Sequence, residues 1–139
     1  MKQEDKQQLL VKELCARQPW GVKVQYNNKV YSIDYVSAEY KEVKLDILDN
    51  YTVGISDVKP YLRPMSSMTE EEKRKYYSFI GGQQPYDCDY SAYPIEYKFI
   101  YEWDIKNYMD FVNANHLDYR GLIKKGLAIE VTEENNPYK

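Results

Sequence analysis

Between Gly21 and Ile55 the apolar side chains recur at every second position, and this period confines the first half of the chain to a small antiparallel sheet. Val22, Val24 and Tyr26 alternate with Lys23 and Gln25. Asn27-Asn28 reads as a tight turn, because asparagine tolerates positive φ, and Lys29 to Tyr35 as the return strand. Val43, Leu45 and Ile47 suggest a third strand and Tyr51, Val53 and Ile55 a fourth, with Asp49-Asn50 turning between them. A meander with only tight connections curls under its own twist to close a small core. The expected form is a four- to five-stranded antiparallel SH3-like barrel.

Helical spacing flanks this sheet. Residues 3 to 17 place Leu10, Val11 and Leu14 on one stripe, with acids early and Arg17 late as the helix dipole prefers, and Pro19 stops the helix. KPYLRPMSSMT, 59 to 69, carries two prolines that cannot donate to a ladder and reads as a linker. Thr69 followed by Glu72 is a capping box, predicting a helix from about Glu70 to Phe79 before Gly81-Gly82 breaks it. GGQQPYDCDYSAYP has no period and reads as a loop, IEYKFIY at 95 to 101 as a fifth strand. Asp104 is placed to cap a helix from Ile105 to Asn115, whose Tyr108, Phe111 and Val112 form the buried stripe. The fold class is therefore α+β: an N-terminal helix plus barrel over 1–64, then a helix-rich lobe over 65–139, either as two lobes or packed as one domain.

NHLDYRGLIKKGLAIEV, 115 to 131, concentrates His116, Asp118, Tyr119 and Arg120 beside two glycines. As a helix corner it is self-consistent. Asp118 caps a second short helix, Gly126 terminates it in the left-handed region, Gly121 allows close backbone approach, and Arg120 pairs with Asp118 or a neighbouring carboxylate. The segments KPYLRPMSSMTEEEK, 59 to 73, and DFVNANHLDYRGLIKKGLAIE, 110 to 130, resemble a group of short uncharacterised proteins in prophage and mobile-element regions of gut Bacteroidales genomes. That resemblance implies a phage-like or accessory-gene setting and no activity.

Catalytic patterns compete poorly with this structural reading. One histidine and two cysteines, without CxxC or HxxxH spacing, cannot build a tetrahedral zinc site. Asp87 and Asp89 lack the ligand spacing of a calcium loop. A Cys88, His116 and Asp118 triad is conceivable, but flanking aspartates raise the thiol pKa when activation requires the reverse, and Cys15 reads as a small core residue. Asp34 with Glu42 and Lys44 imitates a metal-dependent nuclease, yet Glu42, Lys44 and Asp46 alternate with Val43, Leu45 and Ile47 as on any half-buried strand. No metal ligand set, cofactor motif or catalytic set is assigned.

Surfaces remain. Residues 1–64 hold 10 basic and 9 acidic side chains and residues 65–139 hold 9 and 13, so neither half offers the cationic cluster that displaces counterions from phosphates. The chain has 16 tyrosines, and those of the proposed barrel outnumber what so small a core encloses. Tyr26, Tyr40 and Tyr51 are the expected exposed set, forming an interaction surface for a protein partner or a second copy. Without an apolar run long enough to span a bilayer, or an apolar N-terminal signal core, the expected location is cytoplasmic and the expected partners exclude membranes. The reading is a non-enzymatic protein-binding or adaptor module; a nucleic-acid-associated accessory protein is the alternative, and a metal-dependent nuclease using Asp34, Glu42 and Lys44 the third.

Overall fold

The first helix, α1 (Gln3–Arg17), lies where its stripe demands: Leu10 and Leu14 are buried against the sheet and Leu9 and Val11 half-buried beside them. The computed structural model describes residues 2–47, 51–79 and 102–139, without the side chains of 102–105. The Asp49-Asn50 turn, the 81–94 loop with Asp87, Cys88 and Asp89, and the strand expected at 95–101 lie outside the described residues.

The sheet contains β1 (Lys23–Tyr26), β2 (Lys29–Ser37), β3 (Glu42–Leu45), β4 (Val53–Gly54), β5 (Lys59–Leu62) and β6 (Ile129–Glu130), in the order β4-β3-β2-β1-β5-β6. All neighbours are antiparallel except β5 and β6. It is an open sheet, and the expected SH3-like barrel does not form. Closure fails because β4 is reduced to two residues at one edge, while the neighbour that β1 gains is β5, drawn from the stretch expected to be a linker.

Pro60 explains why that expectation fails. Successive strand residues direct their N–H and C=O groups to opposite edges. The Leu62 carbonyl accepts from Val131 on the β6 side, so Pro60, of the same parity, lacks its N–H on that side. The β5–β6 ladder begins only at Tyr61, opposite Ile129, and nothing there needs the missing donor.

Asn27 and Asn28, with φ of 50° and 63°, make the predicted primed turn between β1 and β2. β2 then carries a register shift between Ile33 and Tyr35 in its pairing with β3, leaving Asp34 unmatched. Such a bulge inverts the alternation beyond it. Tyr31 and Ile33 therefore face the core, but so does Val36, and Tyr35 turns outward instead of sharing the Tyr31 face. Ile47 falls beyond β3 and is exposed rather than part of it, and the stretch expected as a fourth strand keeps only Val53–Gly54 before a 3-10 turn at Ile55–Asp57. Cys15 is exposed, since it projects from α1 away from Leu14; the core position expected for it is not found.

The second half begins with α2 (Glu70–Phe79), bounded as the capping box predicts: Thr69 N–H donates to Glu72 Oε1 at 2.8 Å and Glu72 N–H to Thr69 Oγ1 at 3.2 Å. α3 (Glu102–Ala114) starts earlier than expected, so Asp104 sits within its first turn instead of capping it. Tyr108 and Val112 are buried and Phe111 half-buried. They pack with Met65, Met68, Tyr76, Tyr77 and Leu117 into a second core, in which the Tyr76 ring meets Tyr77 at 5.8 Å and Tyr108 at 5.6 Å between centroids. Leu122 and Ala128 cross from this half into the sheet core.

Candidate functional site

The 115–131 stretch is a corner, built differently from the expected helix pair. At the end of α3, Leu117 N–H donates to the Val112 carbonyl and His116 N–H to that of Asn113, which is the paired closure that places one left-handed residue after a helix. That residue is His116, with φ of 58° and no glycine's freedom. After it, residues 119–126 form turns and no second helix. Asp118 still satisfies orphan amides, accepting from Leu122 N–H at 2.8 Å and Ile123 N–H at 2.9 Å. Gly126 is left-handed as expected (φ 72°), with Leu127 N–H donating to the Leu122 carbonyl and Gly126 N–H to that of Ile123. Gly121 differs from its expected role. A methyl there would meet only the Lys125 ammonium at 3.6 Å, so its φ of 74°, and not a close backbone approach, is what calls for glycine.

Arg120 does not pair with Asp118; it donates to the Tyr119 hydroxyl at 3.1 Å and takes the other expected kind of partner, a carboxylate, from outside the corner. Its Nε lies 3.3 Å from Glu13 Oε2 on α1, and Arg17 Nε donates to the other oxygen of the same carboxylate. Arg17 also donates from NH2 to the Leu117 carbonyl, and both guanidinium groups lie over the Tyr119 ring, at 5.2 Å and 5.1 Å. Glu13 and Arg17 are wholly buried. Burial pushes the Glu13 carboxyl up against the opposing pull of Arg17 and Arg120. This cluster binds α1 to the corner with Glu13 and Arg17 closed to solvent and Arg120 half-buried over them, so it is suited to holding two halves of the chain together and not to turning over a substrate. Sequence reading missed it because Glu13 and Arg17 look like any i, i+4 helix pair; only the burial distinguishes them.

Beside the corner a cleft of about 350 Å³ is lined by residues including Arg63, Thr69, Glu72, Asn115, His116 and Tyr138. Arg63 forms a two-pronged pair with Glu72 at 2.8 and 2.9 Å and donates further to Ser67 and to the Asn115 carbonyl. The Arg63 guanidinium in turn holds the Glu72 carboxyl below its ordinary range. Burial, with Arg17 and Arg63 nearby, lowers the His116 pKa to about 4, leaving a neutral ring that is a weak base at pH 7. The cleft therefore presents hydrogen-bonding groups and an aromatic wall.

The residues of the nuclease pattern are not gathered into one site. Lys44 Nζ lies 3.5 Å from Asp34, but Glu42 stands opposite Ser37, three residues or about 10 Å along β2 from Asp34 at a strand rise of about 3.3 Å. Glu42 accepts a hydrogen bond from Thr52 at 2.6 Å. Among the described residues no three His, Cys, Asp or Glu side chains stand together as a metal group.

Tyr40 and Tyr51 are exposed as expected, at 70% and 53%. Tyr26 departs from the expectation: it is half-buried, its ring 6.2 Å from that of Tyr31. Nor do the three form one cluster. Tyr26 and the turn holding Tyr40 lie at opposite ends of β2, roughly 26 Å apart for the eight steps of a nine-residue strand at about 3.3 Å each. Among the described residues the exposed large apolar side chains are Trp20, Val30, Tyr35 (50%), Tyr40, Ile47 (68%) and Tyr51, the last four in or beside β2, β3 and β4. The unpaired residue at Asp34 is what adds Tyr35, and strict alternation could not reveal it. No described helix is long and apolar enough to cross a membrane. No family model, curated protein or solved structure matches the chain.

Proposed function

We propose that this chain is a non-enzymatic protein-binding or adaptor module of phage or mobile-element origin, engaging its partner through the β2–β3–β4 flank. One observation carries the reading: Tyr35, Tyr40, Ile47 and Tyr51, in or beside β2, β3 and β4, expose apolar and aromatic surface. Tyrosine supplies large contact area at low entropic cost and is favoured among residues that dominate interface energies. The opposite side of the molecule invests its polar groups in internal pairs, as in the Glu13, Arg17 and Arg120 cluster, and that division supports a scaffold which presents one adhesive flank. The near balance of charge favours protein over nucleic acid as the partner.

Affinity capture with the full chain from lysate, with and without nuclease treatment, tests the class. Capture of the same protein under both conditions is the expected result; recovery of nucleic acid alone would move the chain to the nucleic-acid-associated class. Incubation with Mg²⁺ or Mn²⁺ should leave single- and double-stranded DNA and RNA intact, whereas cleavage that disappears in Glu42→Gln would establish the nuclease reading.

A further inference from the structure

A tyrosine hydroxyl stands where a backbone hydrogen bond would otherwise close the sheet. β1 and β5 pair at Gln25 opposite Lys59 and Val24 opposite Pro60, and the next pair along would be Lys23 opposite Tyr61. Antiparallel pairs alternate between those that exchange two hydrogen bonds and those that exchange none, and proline has no N–H to exchange, so Lys23 and Tyr61 hold a hydrogen-bonding position. The ladder nevertheless ends at Val24. Tyr138 Oη accepts from Lys23 N–H at 3.1 Å and donates to the Tyr61 carbonyl at 2.7 Å, inserted between the two groups that would otherwise meet.

The ring below that hydroxyl is matched as closely. It stacks on His116 with centroids 3.7 Å apart and planes 8° from parallel. His116 faces it from a left-handed backbone position that a side chain adopts only at a cost. A phenol is the one side chain that offers a flat apolar ring together with a terminal group that both donates and accepts. Phenylalanine would leave the half-buried Lys23 N–H and the Tyr61 carbonyl unpaired, and a carboxylate would leave the carbonyl unpaired. Burial also raises the Tyr138 pKa to about 12, keeping the proton needed by the Tyr61 carbonyl.

We propose that the space between Lys23, Tyr61 and His116 is a phenol-binding slot, occupied in this structure by the chain's own Tyr138 and open to the phenol of an incoming ligand when the 132–139 segment swings away. The attachment of that segment makes exchange feasible. Among the described residues, its only hydrogen bonds to parts of the chain before Glu130 are the two made by the Tyr138 hydroxyl; those of Thr132, Asn135 and Asn136 stay within the segment or reach Glu130. Removing one side chain therefore removes both of those hydrogen bonds. The 350 Å³ cleft shares His116 and Tyr138 with the slot and gives a ligand a route to it. The slot is served by β1, β5 and the corner, away from Tyr40 and Tyr51, so it stands or falls independently of the adhesive flank.

The full chain carrying Tyr138→Gly, titrated with p-cresol, toluene and the peptide Asn-Pro-Tyr-Lys, decides the matter by NMR. p-Cresol should shift the Lys23 amide and His116 ring signals saturably in the variant and not in the wild type, with toluene at least tenfold weaker. Tighter binding of the peptide than of p-cresol assigns the slot to tyrosine presented on a polypeptide, and equal binding to free phenols. A folded variant in which p-cresol gives no saturable shift, or toluene matches it, overturns the proposal. Should Tyr138→Gly fail to fold, Tyr138→Phe keeps the stack and removes the hydroxyl: at least tenfold faster hydrogen exchange at the Lys23 amide is expected, and unchanged exchange overturns it.

Discussion

Two regions of this molecule are rich in residues that suggest function, and they use them in opposite ways. In the corner, Glu13, Arg17 and Asp118 are withdrawn from water, Arg120 is half-buried beside them, and all four are tied to one another or to backbone groups. On the β2–β3–β4 flank, Tyr35, Tyr40, Ile47 and Tyr51 stand in solvent. A charged cluster in a sequence looks like chemistry, and a scattering of tyrosines looks like filler. Burial reverses both impressions, because removing charge from water is tolerable only when the partners are fixed, whereas exposed aromatic surface has stabilisation left to give to a partner.

The largest effect is expected at Glu13. Glu13→Gln leaves two guanidinium groups in the protein without their carboxylate, and urea unfolding should show a loss of about 3–5 kcal/mol. A loss within error would mean that the cluster is solvated and free for other work. Asp118→Ala removes the acceptor for two amides, one of them buried, and should cost about 1–3 kcal/mol in the same measurement.

A smaller effect depends on pH. The unfolded His116 takes up its proton near 6.5 and the folded one only near 4, so the stability it contributes is present above pH 6.5 and drains away as pH falls through that window. Glu13 acts in the reverse sense: with its folded pKa raised above 4.5, its contribution is present below 4.5 and is lost as pH rises through the folded value. His116→Asn, which tolerates the left-handed backbone, should flatten the decline in unfolding free energy between pH 6.5 and 5. An identical decline in the variant would assign it to another group. Smallest of all, replacing Tyr35, Tyr40 and Tyr51 together by serine should change unfolding free energy by less than about 0.5 kcal/mol at each position.

Much of this architecture was legible in local signals. The Thr69–Glu72 capping box, the Asn27-Asn28 turn, the Leu10 and Leu14 stripe and the left-handed Gly126 each depend on residues near in sequence, and each is found where its chemistry places it. What escaped was decided over distance. β5 pairs through Pro60 because the edge that lacks a donor has no partner at that residue, and this follows only from knowing which strands lie on either side. The bulge at Asp34 inverts the face of Tyr35 without any glycine to announce it. Arg120 finds Glu13 and Tyr138 finds Lys23 across most of the chain length, and neither pair leaves a trace in spacing.

The division of labour between corner and flank is tested most directly by measuring partner capture for two variants side by side, each first verified as folded by circular dichroism. Asp118→Ala should lose stability and retain capture, while the Tyr35, Tyr40 and Tyr51 serine variant should retain stability and lose capture by at least tenfold. Capture that survives in the serine variant and disappears in folded Asp118→Ala would place the working surface at the corner and contradict the account.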